Sequence, residues 1–166
     1  MRRIFAGLAV ASLVMLGISS GAHAQQTGVI TCDEGGNPPN QPYDGALTIT
    51  SSGSCTLSES VTASGSITVT ASGPVNIIGG LTGNGVEVES TGGTVTVAGP
   101  ISSSAFIWLY GKDATNTNYS PVNITSGASL SRSSELNIQG SDITSGIPLD
   151  SASITSHGGG TVNVVD

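Results

Sequence analysis

The chain reads as an all-β protein, a right-handed parallel β-helix (β-solenoid) with coils of about twenty residues. Three observations carry this reading. Apolar residues recur twenty positions apart. They come in apolar-x-apolar pairs, the period of a half-buried strand. Gly, Ser, Thr and Asn fill the intervals, and 24 Gly with the Ser and Thr make up roughly 40% of the 166 residues, far above ordinary usage.

Taken from the start, residues 1–24 have the form of a secretory signal peptide. Arg2 and Arg3 form the basic region, Ile4 to Ile18 the apolar core, and Ala22-His23-Ala24 the cleavage site. An apolar run of this length is short for a membrane span, so no membrane insertion is expected after cleavage. The expected location is secreted, periplasmic or at the cell surface. Once the leader is removed, Lys112 and Arg132 are the remaining cations against all eleven acids, a net charge of 2 − 11 = −9. So acidic a surface excludes nucleic acid as a partner, because phosphate contacts require Lys and Arg.

Residues 25–45, with Pro38, Pro39 and Pro42, read as an irregular N-terminal cap, and residues 46–166 as the solenoid. Within it, 61–80 (VTASGSITVTASGPVNIIGG) aligns with 81–100 (LTGNGVEVESTGGTVTVAGP). Val61 meets Leu81, Val75 meets Val95 and Ile77 meets Val97, while Ile67 and Val69 meet Val86 and Val88 with a one-residue slip. Leu47/Ile49 and Cys55/Leu57 extend the pattern backwards, and Ile101 extends it forwards. Val122/Ile124, Leu130, Leu136/Ile138, Ile143, Leu149, Ile154 and Val162/Val164 keep the order, around an insertion near Gly111 to Ser120. About six coils result, a rod of roughly 30 Å at strand spacing. An antiparallel β-sandwich is the alternative, but it requires no twenty-residue recurrence.

The ITVTASGPVNI and VEVESTGGTVTV units behind a signal peptide resemble secreted bacterial β-helix proteins, such as filamentous-haemagglutinin-like adhesins and autotransporter passengers. The resemblance is architectural and covers residues 44–166. It implies an exported binding role.

Cys32 and Cys55 are the two cysteines, and export places them in an oxidising compartment. Cys55 falls at an inward position, level with Val75 and Val95. A Cys32–Cys55 bridge would staple the cap over the first coil; two separate buried thiols are the alternative. The last apolar pair lies two residues from Asp166. An open terminal coil presents unpaired strand edges, so either this coil pairs with another subunit, and self-association through the C-terminal coil is expected, or the chain is a shortened member of a longer family.

Catalytic groups are scarce, and neither a catalytic residue nor a cofactor is assigned. His157 and two cysteines do not make a zinc site, and no metal is expected. His157 stands in a Ser-His-Gly-Gly-Gly corner and reads as an exposed turn residue. Glu87 and Glu89 flank Val88 and face outward together, about 7 Å apart along the strand. Such a pair could serve a carbohydrate-active β-helix enzyme or form a solvated edge. The pairs Thr48/Thr50, Thr68/Thr70 and Thr94/Thr96 are reminiscent of ice-binding solenoids, although Glu87 and Glu89 interrupt the array and the third pair sits on another face. Asn118-Tyr119-Ser120 and Asn123-Ile124-Thr125 match the glycosylation sequon, as chance allows in a chain of this composition.

The concentrated feature is aromatic. Phe106, Trp108, Tyr110 and Tyr119 lie within fourteen residues, with Lys112 among them. Strand alternation puts Phe106, Trp108 and Tyr110 on one side and Ile107 with Leu109 on the other. Aligning Ile107/Leu109 with Ile67/Val69 sends the aromatics outward, whereas aligning Phe106/Trp108 with Val86/Val88 buries them. These five residues are the candidate ligand-binding site, for a polysaccharide or a protein surface. The expected function is a non-enzymatic, adhesin-like or structural binding module.

Overall fold

The computed structural model describes residues 28–32, 42–112 and 117–165. They form a parallel β-solenoid of about six turns, with no helix among them. The proposed leader lies outside the described residues.

Each coil contributes strands to three sheets. A seven-stranded sheet stacks Gly28–Thr31, Leu47–Ser51, Ile67–Ala71, Val86–Ser90, Ile107–Gly111, Leu136–Gly140 and Ala152–Ser156. A six-stranded sheet stacks Cys55–Leu57, Val75–Ile77, Val95–Val97, Val122–Ile124, Ile143–Ser145 and Val162–Val164. A four-stranded sheet runs from Val61–Thr62 through Leu81–Gly83 and Pro100–Ser103 to Ser129–Ser131. All strand pairs within the sheets are parallel. The third sheet ends there, and Ile147 and Leu149 of the next coil pack against the core without forming a strand.

Register follows the apolar pairs. On the largest sheet, Leu47, Ile67, Val86, Ile107 and Leu136 stack in one inward column. Ile49, Val69, Val88, Leu109 and Ile138 stack in the second. On the six-stranded sheet, Cys55, Val75, Val95, Val122 and Ile143 form a third column. These side chains are buried. Burying one such side chain contributes about 1.5–3 kcal/mol. A one-residue slip would turn a whole strand inside out, so the columns lock the register. Inward polar groups are satisfied locally: the Ser90 hydroxyl donates to the Gly73 carbonyl (2.9 Å), Ser103 to Asn84 O (2.9 Å) and Ser145 to Ile147 O (2.7 Å).

Two described parts of the opening segment, residues 28–32 and 42–45, pair with the coils that follow. Gly28–Thr31 adds a parallel strand onto Leu47–Ser51, and Tyr43 bridges to Ala63 on another face. Tyr43 is 4% exposed and closes the end of the core. The disulfide Cys32–Cys55 joins this segment to the first coil, with Cα atoms 5.4 Å apart. At the other end the core thins out, and Val162 and Val165 are 46% and 52% exposed.

Two stability predictions follow from this packing. Replacing Cys32 and Cys55 by Ser should lower unfolding free energy by about 3 kcal/mol through lost loop closure, measured by denaturant unfolding. A Cβ at Gly99 would overlap the carbonyl oxygens of Gly79 and Ile78 in the coil below, whereas one at Gly53 meets nothing within 4 Å. Gly99→Ala should therefore cost about 1–3 kcal/mol, and Gly53→Ala should stay within about 0.5 kcal/mol of the parent.

Candidate functional site: an aromatic rung

The strand Ile107–Gly111 decides which way the aromatics point. Ile107 and Leu109 pair with Val86 and Val88 and are fully buried, so Trp108 and Tyr110 face outward. The coil from Val86 to Ile107 is twenty-one residues, one longer than the average spacing, and the preceding one from Ile67 to Val86 is nineteen. The two departures cancel, which is why a strict twenty-residue alignment left both orientations open.

Phe106 occupies the corner just before the strand. Its ring lies over Gly85, where a Cβ would press into the ring. It stacks on Trp108, with centroids 4.3 Å apart and planes at 29°. Trp108 meets Tyr110 at 6.2 Å and 33°. Three half-buried rings thus form one row along a single rung. Lys112 closes the row, its ammonium 5.0 Å from the Tyr110 ring centroid and 3.6 Å from a Glu89 carboxylate oxygen. Partly exposed pairs of this kind contribute up to about 1 kcal/mol and mainly hold Lys112 in place.

The rungs on either side complete the surroundings. Trp108 stands between Glu87 and Asn137, and Tyr110 between Glu89 and Gln139. Carboxylates therefore border one edge of the row and amides the other, with the Gln139 amide nitrogen 3.4 Å from Asn137 Oδ1. Asn137 and Gln139 escaped the sequence reading. Their signal was the outward positions around Ile138 in the pair Leu136/Ile138, which the coil alignment places one rung beyond the aromatics. The Trp108 Nε1 is shielded and has no hydrogen-bond partner among the described residues.

Electrostatics follow from this crowding. Burial raises the Glu87 carboxyl above its ordinary range, Glu89 raises it further, and Lys112 opposes both. Tyr110 is pushed up to about 12, first by burial and then by Glu87, Glu135 and Glu89.

Tyr119 does not join the row. Its backbone bridges to Lys112 in antiparallel fashion, but its ring stacks on His157, centroids 3.6 Å apart and planes at 6°. His157 is accordingly a half-buried, packed residue rather than an exposed turn. The threonine pairs at 48/50 and 68/70 stack in register up to Glu87 and Glu89, where the array stops. On the six-stranded face the outward positions alternate strictly: Thr56, Asn76, Thr96, Asn123, Thr144 and Asn163. Among the described residues no group of three His, Cys, Asp or Glu could hold a metal ion. Comparison with protein-family models, with curated proteins and with solved structures finds no match, so the chemistry of the site rests on its geometry.

The raised Tyr110 phenol has a measurable consequence. Unfolded, it ionises near 10; folded, it holds its proton to about 12. Its contribution is intact below pH 10 and is lost as pH rises from about 10 to 12, because the unfolded chain then releases a proton that the folded chain keeps. Unfolding measured across this window should show a smaller alkaline loss for Tyr110→Phe than for the parent. Phenolate absorbance should show one late-titrating tyrosine fewer.

Proposed function

We propose that this protein is an exported, non-enzymatic β-solenoid, an adhesin-like or structural binding module that holds a polysaccharide on its aromatic rung. The observation that carries the reading is the outward row Phe106, Trp108 and Tyr110 on a sheet whose other outward positions are mostly Thr, Ser, Asn, Gln and Glu. Flat aromatic faces stack on sugar rings, and their polar tips tolerate water at the rim. Glu87, Glu89, Asn137 and Gln139 supply acceptors and donors beside them for hydroxyl groups. The surrounding charge favours a neutral chain over an acidic one, since seven acids face two cations among the described residues. Export is supported by the leader-like residues 1–24 and agrees with the disulfide.

The test is adsorption to a panel of insoluble neutral polysaccharides, with Trp108 emission and its quenching as the direct readout. Binding should shift Trp108 emission and protect it from quencher. Trp108→Ala should weaken adsorption about tenfold or more, an anchor-residue effect. Emission that is already fully protected in the free protein would remove the platform. Release of sugar ends from the panel, abolished by Glu87→Gln, would instead make the protein an enzyme.

A further inference from the structure

Around the corner from the aromatic rung, the loops joining the seven-stranded to the six-stranded face differ in length from coil to coil. Between Gly140 and Ile143 the corner is only Ser141 and Asp142. The coil before it leads into Val122 through Thr117–Pro121, and the coil after it leads into Val162 through His157–Thr161. A short corner between two long ones leaves a recess, and one of about 600 Å³ is found here. Ser141 and Asp142 belong to its floor; Asn118, Tyr119, His157 and the glycines 158–160 line its sides.

The walls are tied to one another and to the floor. Tyr119 and His157 stack across from separate coils. Asp142 Oδ1 accepts from the Thr161 amide (2.9 Å) and hydroxyl (3.1 Å). The Ser156 hydroxyl donates to the Ser141 carbonyl (2.7 Å). A side chain at Gly160 would collide with that same carbonyl, so this wall stands directly on the floor. Gly158 and Gly159 adopt φ of 71° and 80°, with open space where a Cβ would be. Such backbone is accessible to glycine at little cost.

Several hydrogen-bonding groups here are unused. The amides of Gly158 and Gly159, at the tip of a turn, make no hydrogen bond among the described residues. The His157 Nε2 is shielded and equally without a partner among them. Buried polar atoms are ordinarily paired, so the shielded His157 Nε2 calls for a cause, while the exposed Gly158 and Gly159 amides are open to solvent or to a ligand. Donors on one wall, a carboxylate on the floor and a flat ring pair alongside make a mixed lining, which suits a ligand carrying both hydroxyls and an apolar ring face. The Asp142 charge disfavours an anion.

We infer that this recess is a second binding site, which takes one neutral sugar ring, such as the end unit of a glycan. The ring hydroxyls donate to the Asp142 carboxylate and accept from the glycine amides, and the ring lies against the Tyr119–His157 pair. No residue of the aromatic rung takes part, so the two sites report separately, one through Trp108 and the other through His157.

The experiment is NMR titration of isotope-labelled protein with glucose, galactose, mannose and N-acetylglucosamine, with glucuronate as the charged comparison. The expected result is saturable, millimolar shifts of the His157 ring and of the amides of Gly158 to Gly160 with at least one neutral sugar. Any Trp108 shift follows a separate titration curve, and glucuronate binds at the recess at least about tenfold more weakly. Tyr119→Phe should retain binding within about twofold, and Asp142→Asn should lose about tenfold, the scale of a charged hydrogen bond. Core methyl spectra confirm that each variant is folded; should Asp142→Asn fail this control, Tyr119→Ala takes its place, with the same loss expected. The inference is overturned if no sugar gives saturable shifts at these residues, if Trp108 shifts in parallel with them, or if glucuronate binds as well as the neutral sugars.

Discussion

The whole molecule depends on stacking like on like. Each inward aliphatic side chain sits above its counterpart in the coil below, and the same register aligns the backbone ladders of the sheets. No coil can bury its apolar residues alone. Burial and hydrogen bonding are thus satisfied by the same placement, and neither survives a shift of one residue. The small residues at the corners are a consequence. Backbones at neighbouring corners approach so closely that positions such as Gly79, Gly99 and Gly160 leave no room for a Cβ.

Much of this arrangement can be read from the amino acids. The apolar-x-apolar pairs locate nearly every strand of the two larger sheets, and the inward place of Cys55 follows from its alignment with Val75. The obstacles were local. The orientation of Trp108 turned on two coils of nineteen and twenty-one residues: the slip of the first is visible in the alignment, and the three-dimensional register shows that the second compensates for it. The strand Gly28–Thr31 carries two adjacent apolar residues, Val29 and Ile30, so alternation does not announce it, and Val29 ends up exposed. Tyr43 was hidden for a different reason: a lone aromatic among prolines gives no period, and its inward position comes from its bridge to Ala63.

The candidate site was legible in composition and only partly in detail. Phe106, Trp108, Tyr110 and Lys112 come together as their clustering suggests. Tyr119 belongs elsewhere because it lies against the corner of a later coil, where the only described histidine offers it a flat partner. The amides of Asn137 and Gln139 are adjacent to the aromatics through stacking, not through sequence, being twenty-nine residues from their neighbours. Contacts made across coils are the chemistry that a linear reading resolves least.

The unequal corners described above have an implication for how such a rod can change over time. Corners of two and of five or more residues occur here without shifting the inward columns of the strands on either side, so where a corner is not packed against its neighbours, recesses and ridges can be gained or erased while the register is kept. Surface relief is therefore written in loop lengths, and side-chain identity only tunes what the relief can grip. A lineage of these rods could diversify in what it recognises by small insertions and deletions alone, while its core composition stayed nearly constant.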